Sequence, residues 1–106
     1  MRTILLGVVV LAVVQSIWKI HSGRRVDVDP AANQVVLYST ASCAYCEQAR
    51  QLLRRYGIAF TEYDIERSAE GRRQFEILQG RGVPLLIVND TLLHGYDPHA
   101  VVRALR

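Results

Sequence analysis

The chain has 106 residues, half of them hydrophobic, and a formal net charge of +3 at neutral pH. That length is enough for one small domain. Most of the excess positive charge falls in the first 33 residues, because the remainder carries nine arginines against eight acidic residues. The charge therefore gives no support for nucleic-acid binding, which basic residues interleaved with aromatic ones would indicate.

An uncharged apolar segment, Thr3 to Trp18, stands near the start of the sequence. As a helix it is about 24 Å long, and the flanking Arg2 and Lys19 extend it close to the thickness of the hydrocarbon core of a bilayer. We therefore predict a single transmembrane anchor over residues 1–20, with membrane contact through residues 3–20.

A cleaved signal segment ending near Ser16 is the alternative interpretation of this N-terminus. Lys19, Arg24 and Arg25 follow the apolar segment, whereas only Arg2 and the α-amine precede it. The positive-inside rule then favours, by about one charge, the cytoplasmic face of the membrane for the part that follows. A periplasmic or exported location is the alternative.

Residues 21–33 are polar and are predicted to form a linker. The run from Gln34 to Ser39 is β-branched and apolar, which indicates a short buried strand. A Ser-Cys-Ala-Tyr-Cys sequence over residues 42–46 follows, and apolar residues then recur at helical spacing as far as Tyr56, with Gly57 as the stop signal. The two cysteines of the chain thus stand at the start of a helix.

Cys43 and Cys46 are expected to form a dithiol that exchanges electrons. Unpaired backbone N–H groups and the helix macrodipole favour a thiolate in the first turn, so the pKa of that thiol falls below its free value of about 8.5. The second thiol, one turn later, is close enough to form a disulfide with the first. A static disulfide that closes so small a loop gains little stability. A zinc site needs about four ligands, for which only His21, His94 and His99 are left.

The next segments alternate between strand-like and helix-like patterns. Ile58 to Ile65 alternates as a strand does when one of its faces is less buried. Ser68 caps the following helix, whose apolar face holds Phe75 and Leu78 with Ile77 at its edge. The glycines of residues 80–82 end that helix.

Val83 to Val88 is a continuous apolar run, which is typical of a buried strand. Asn89-Asp90 is a tight-turn signal, so Thr91 to Leu93 is predicted to pair antiparallel with that strand. Asp97 followed by Pro98 begins a final helix. The order β-α-β-α-β-β-α predicts an α/β fold, with a four-stranded mixed sheet and helices on both faces.

Three motifs of residues 34–106 resemble those of glutaredoxins, a branch of the thioredoxin fold. They are Cys43-Ala44-Tyr45-Cys46 after the first strand, Gly82-Val83-Pro84 before the third strand, and Gly95-Tyr96-Asp97-Pro98 before the last helix. The resemblance covers nearly all of the sequence that follows the predicted linker. We therefore expect residues 34–106 to form a glutaredoxin-like domain with a thioredoxin-like fold.

The resemblance also implies roles for individual residues. Cys43 becomes the nucleophile, Cys46 the resolving thiol, and the bond between Val83 and Pro84 a cis peptide bond. Tyr45 is expected at the exposed rim of the site. Residues implied in substrate binding are Tyr45, Val83, Pro84, Tyr96 and Asp97.

The implied activity is that of a membrane-tethered thiol-disulfide oxidoreductase, which reduces protein disulfides or glutathione mixed disulfides without a bound cofactor. A reductase system must restore its dithiol. Thr40 stands where many glutaredoxins have a lysine that pairs with glutathione, Ala44 where proline is usual, and Gly82 where threonine is common. Gly95-Tyr96 lacks the Gly-Gly pair of glutathione-binding members and is closer to redoxins that thioredoxin reductase reduces. Either glutathione or thioredoxin reductase is therefore expected to reduce the dithiol.

Two alternatives come from other functional classes. One is a non-catalytic redox-sensing module on the same fold. The other is a metal-binding or iron–sulfur module, in which a four-cysteine cluster would have to be shared between two chains. Outside the site, Arg50, Arg54 and Arg55 are interpreted as a solvated helix face.

Overall fold

The computed structural model of the protein describes residues 28–106. The predicted anchor and residues 21–27 of the predicted linker lie outside the described residues. No helix of the described part is long and apolar enough to cross a membrane.

Four strands and three helices follow one turn of 3₁₀-helix at Pro30–Ala32 in this part of the chain. In chain order they are β1 (Val35–Ser39), α1 (Ala44–Arg55), β2 (Thr61–Asp64), α2 (Ala69–Ile77), β3 (Leu85–Val88), β4 (Thr91–His94) and α3 (Pro98–Ala104). The strands form one sheet in the order β2-β1-β3-β4. β1 is parallel to β2 and antiparallel to β3, and β3 is antiparallel to β4. The predicted four-stranded mixed sheet is confirmed.

The sheet is covered by helices on both faces, as predicted. On one face Leu37 and Leu86 pack with Leu53 of α1 and Val101 of α3. On the other face Tyr38 and Leu85 pack with Phe75 of α2. The tight Asn89-Asp90 turn and the predicted helix caps Ser68 and Asp97 are also present.

Three details of the predicted elements are wrong. β2 begins at Thr61 and not at Ile58, because the N–H of Ile58 donates to the carbonyl of Leu53 and so completes the end of α1. β3 begins at Leu85, after Pro84, which has no N–H to donate to a neighbouring strand. Ile77 is 67% exposed and does not support the apolar face of α2, which Phe75 provides.

The chain enters the domain at the end of the sheet where β1 begins, and it is held there by Asn33 and Asn89, which we call the asparagine clamp. The Asn89 side chain donates to Asn33 Oδ1 and to the carbonyl of Ala104, and it accepts from the N–H of Gln34. Asn33 Oδ1 also accepts from the N–H of Arg106 at 2.8 Å. Residues 28–33 of the predicted linker therefore lie against the domain, at the end opposite to the cysteines.

Candidate active site

The cysteine pair lies where β1 gives way to α1. Cys43 is the N-cap of α1, and its Sγ accepts the N–H of Cys46 at 3.1 Å. The two residues form a disulfide, with their Cα atoms 5.2 Å apart. The predicted placement at a helix start and the predicted reach of the second thiol are both confirmed. An N–H group of the first helical turn thus points at the sulfur of Cys43, where it would also solvate a thiolate.

The two sulfur-bearing residues differ in accessibility. Cys46 is 0% exposed and packs in the interior, whereas Cys43 is only half-buried. Tyr45 between them is 62% exposed, so its predicted exposure is confirmed. A molecule approaching from solvent therefore meets Cys43 before Cys46.

The segment that precedes β3 lies at the same end of the sheet. Tyr38 of β1 pairs with Leu85 of β3 in antiparallel register, so the residues after β1 and those before β3 leave the sheet side by side. The Val83–Pro84 peptide bond is cis, as the resemblance implied. Pro84 is buried and its carbonyl accepts the N–H of Gly95 at 2.9 Å. The cysteine loop, the cis-proline segment and the end of β4 thus lie along one edge of the sheet, where β1 and β4 end and β3 begins.

The third motif lies next to this edge and has structural partners of its own. Tyr96 is half-buried and packs against the hydrophobic core. The Asp97 carboxylate caps α3, where it accepts the N–H groups of His99 and Ala100 at 3.0 and 3.3 Å. Capping leaves the second carboxylate oxygen of Asp97 for a further donor.

A groove of about 610 Å³ runs beside the cis-proline segment, between the end of α2 and β4. Val83 and Gly95 border it on the side of the edge described above, and Leu78 and Leu92 contribute apolar surface. Arg81 and His94 line it as well. Sequence reasoning missed this groove, because its walls come from two separate elements and no local pattern joins them.

Sequence reasoning also missed a charged network that joins α1 to β2. Arg50 donates from Nε to both carboxylate oxygens of Glu62, at 2.9 and 2.8 Å, and from NH1 to Glu47 at 2.8 Å. Ser39, which is 1% exposed, donates its hydroxyl to Glu62 at 2.6 Å. The interpretation of Arg50 as a solvated residue is wrong, since its side chain is only 15% exposed. Arg54 and Arg55 are exposed, as expected.

These contacts perturb the ionisation of both partners. The hydrogen bonds from Arg50, and then that from Ser39, hold the pKa of Glu62 below its usual range against the opposing effect of burial. Hydrogen bonding to Glu62 in turn raises the pKa of Arg50. Both groups are charged at neutral pH.

No group of three or more His, Cys, Asp or Glu side chains that could hold a metal ion is found in the part of the chain that the structure describes.

Comparison with known proteins assigns this arrangement to a family. The glutaredoxin family model matches residues 35–93, more than half of the chain. A glutaredoxin from Pseudomonas aeruginosa is 39% identical over 72 residues, which are 66% of this chain and 86% of that protein. A probable glutaredoxin from Synechocystis is 29% identical over 66 residues, which are 60% of this chain and 75% of that protein.

Solved structures show the same fold at lower sequence identity. The glutaredoxin-like protein NrdH-redoxin from Escherichia coli superimposes with a TM-score of 0.61 at 20% identity, over 66% of this chain and 92% of that one. A buckwheat glutaredoxin in complex with glutathione gives a TM-score of 0.56 at 20% identity, over 70% and 77% of the two chains. The thioredoxin-like fold is thereby confirmed. With its Cys43–Cys46 pair, the chain belongs to the glutaredoxin family and is a thiol-disulfide oxidoreductase.

Proposed function

We propose that this oxidoreductase reduces protein disulfides or glutathione mixed disulfides, with Cys43 as the attacking thiol and Cys46 as the resolving thiol. The difference in exposure between the two cysteines carries the proposal. Cys43 is accessible and receives an N–H donor from the first turn of α1, whereas Cys46 is fully buried. A buried thiol is reached only by a sulfur that is already bonded to its neighbour.

The reaction proceeds in two exchanges that conserve electrons. The Cys43 thiolate attacks one sulfur of the substrate disulfide, a mixed disulfide forms, and the other substrate sulfur leaves as a thiolate. Cys46 then loses its proton and attacks Cys43, which releases the second substrate sulfur as a thiolate. The substrate gains two electrons, and the Cys43–Cys46 disulfide of the structure is the oxidised product. An external reductant restores the dithiol.

The substrate is expected to dock on the edge that carries the cis-proline segment. The half-buried Val83 offers its backbone there, next to the buried Pro84. Tyr45 extends the rim on the side of the cysteines. We expect Tyr96 and Asp97 to contact the substrate as well. The second carboxylate oxygen of Asp97 is suited to accept an N–H hydrogen bond from the amino group of glutathione or from the backbone of a protein substrate.

A coupled assay tests the reaction and identifies the reductant. The full-length chain in mild detergent is supplied with NADPH and a small dialkyl disulfide, once with glutathione and glutathione reductase and once with thioredoxin reductase. Cys43→Ser should abolish turnover in both systems. With a protein disulfide in place of the dialkyl disulfide, Cys46→Ser should show no turnover. With the dialkyl disulfide and glutathione it should retain turnover, because reduction of a glutathione mixed disulfide needs one thiol. Full activity of Cys43→Ser would refute the assignment of the nucleophile.

We also propose that residues 3–20 anchor the protein in a membrane, with the redox domain on the cytoplasmic face. Support comes from the uncharged apolar sequence of Thr3 to Trp18 and from the basic residues that follow it. Membranes from expressing cells should retain the protein after an alkaline carbonate wash. A membrane-impermeant maleimide should label reduced Cys43 in lysed cells and not in intact cells. Labelling in intact cells would place the domain on the outer side.

A further inference from the structure

We propose that Arg50 is a positioning residue for the redox reaction: it draws the Glu47 carboxylate away from the Cys43 sulfur and so keeps Cys43 reactive near neutral pH. The inference rests on the proposed role of Cys43 as the attacking thiol. The juxtaposition that carries it is a stripe of charged side chains along α1, in which Glu47 lies next to Cys43 and Arg50 lies beyond Glu47. Glu62 of β2 pairs with Arg50 and joins this stripe to the sheet.

The stripe follows from the spacing of these residues. Cys43 caps α1, and Glu47, Arg50 and Arg54 follow it at intervals of four, three and four residues. Positions so spaced lie on one face of a helix. At a rise of 1.5 Å per residue, Glu47 lies about 6 Å and Arg50 about 10 Å along the axis from the cap. The N–H of Glu47 donates to the carbonyl of Cys43 at 3.2 Å, which confirms that the two residues occupy successive turns.

Glu47 is the one acidic residue in the first turn of α1. A carboxylate at this position competes with a thiolate for the same backbone N–H groups, and it also repels the thiolate. In the structure the Glu47 carboxylate does not turn back to the helix start. It accepts a hydrogen bond from Arg50 NH1 at 2.8 Å, one turn further along the helix.

Arg50 can hold Glu47 because it is itself fixed. Its side chain is 15% exposed and forms a bidentate pair with Glu62 of the neighbouring strand β2. Glu62 is fixed in turn by the buried Ser39 hydroxyl, four residues before Cys43. The charged or titratable groups in contact with this network are Glu47 and Arg50 on α1 and Glu62 on β2, and Arg54 of α1 lies close enough to influence Glu62. Loss of Arg50 leaves two carboxylates without their main cation.

The consequence is measurable without any substrate. The rate at which iodoacetamide alkylates a thiol follows its thiolate fraction, so the rate plotted against pH has a midpoint that reports ionisation. In the reduced full-length chain the accessible Cys43 should react first, and mass spectrometry of the product verifies this. Failure of the proposed turnover would not affect this measurement, and the two proposals are therefore tested separately.

Arg50→Gln should raise the pH midpoint of alkylation by about 0.5 to 1, the order expected for one uncompensated charge about one helical turn away in a largely aqueous environment. Glu47→Gln should lower it, and the double variant should return it close to the wild-type value. Arg50→Lys keeps the charge and should retain most of the wild-type midpoint. Arg55→Gln is the matched control, because it removes the same charge from the last turn of the same helix.

Equal midpoints for Arg50→Gln and Arg55→Gln would overturn the proposal. The same holds if Glu47→Gln leaves the midpoint of the wild-type chain unchanged, a comparison that needs no change at the partly buried Arg50. If Arg50→Gln does not fold, Arg50→Lys and Glu47→Gln decide the matter, since Glu47 is half exposed and its replacement leaves the bidentate pair of Arg50 with Glu62 in place. A midpoint close to wild type in Arg50→Lys, together with a midpoint below wild type in Glu47→Gln, supports the charge mechanism.

Discussion

Replacement of Asn89 by glycine tests how firmly the chain is held where it enters the domain. Asn89 has a positive φ of 55°, which glycine adopts without strain, so Asn89→Gly removes the side chain and leaves the turn intact. Three hydrogen bonds are lost: those to Asn33, to the carbonyl of Ala104 and from the N–H of Gln34. At about 1 kcal/mol each, the free energy of unfolding should fall by about 2 to 3 kcal/mol.

The assay is urea unfolding of the oxidised protein, followed by circular dichroism. For a domain of this size the same loss lowers the melting temperature by on the order of 10–20 °C. Asp90→Ala is the control in the same turn, because the Asp90 side chain is 93% exposed and forms one surface ion pair with Arg106. It should cost less than about 0.5 kcal/mol. A loss below about 1 kcal/mol in Asn89→Gly would show that the asparagine clamp does not hold the chain, and the reasoning would be refuted.

Three further predictions concern the packing at the end of α2 and the charge of Glu62. Gly80→Ala should lower the free energy of unfolding in urea by about 1–3 kcal/mol, because the new Cβ would collide with the ring of Phe75. Gly82→Ala is the control and should stay within about 0.5 kcal/mol of wild type, because nothing lies near its Cβ. Equal losses in the two variants would contradict this prediction. Arg50 holds the pKa of Glu62 in the folded state below its usual range. The Glu62 carboxylate therefore stabilises the fold fully above its unfolded pKa of about 4.3, and this stabilisation is lost as the pH falls through the folded pKa. The urea midpoint of the wild type should therefore drop more between pH 6 and pH 3 than that of Glu62→Gln, and parallel curves would rule out the effect. Ile77→Ser should leave the unfolding free energy within about 0.5 kcal/mol of wild type, since its side chain is largely exposed, and a loss of 2 kcal/mol would place it in the core.

The parts of the fold that sequence predicted are those in which a local pattern decides the outcome. The apolar run of β1 and the tight Asn89-Asp90 turn are such signals, and each appears in the structure. The position of Cys43 at a helix start followed from a strand pattern that changes to a helical one within a few residues. The cis bond at Pro84 did not follow from any pattern and was implied by the resemblance alone.

The errors arose where a contact between distant residues overrides the local pattern. Ile58 continues an alternating run, but its N–H completes the end of α1 and removes it from the strand. Arg50 has the spacing of a surface residue, and only Glu62, twelve residues later on a neighbouring strand, makes it a buried partner. The Glu47–Arg50 spacing of three residues was visible in the sequence, but nothing in it marked Glu62 as the third member.

The asparagine clamp also determines how the enzyme can be attached to a solid support. It joins the start of β1 to Arg106 at one end of the sheet, while the cysteines lie beyond the other end of β1, about 17 Å away for a strand of five residues. A bead coupled through the exposed 3₁₀ turn at Pro30–Ala32 would therefore face the end of the domain that carries no catalytic group. Cys43 and the groove beside Val83 would point outward into the liquid, so coupling at this end should leave bulky substrates free access.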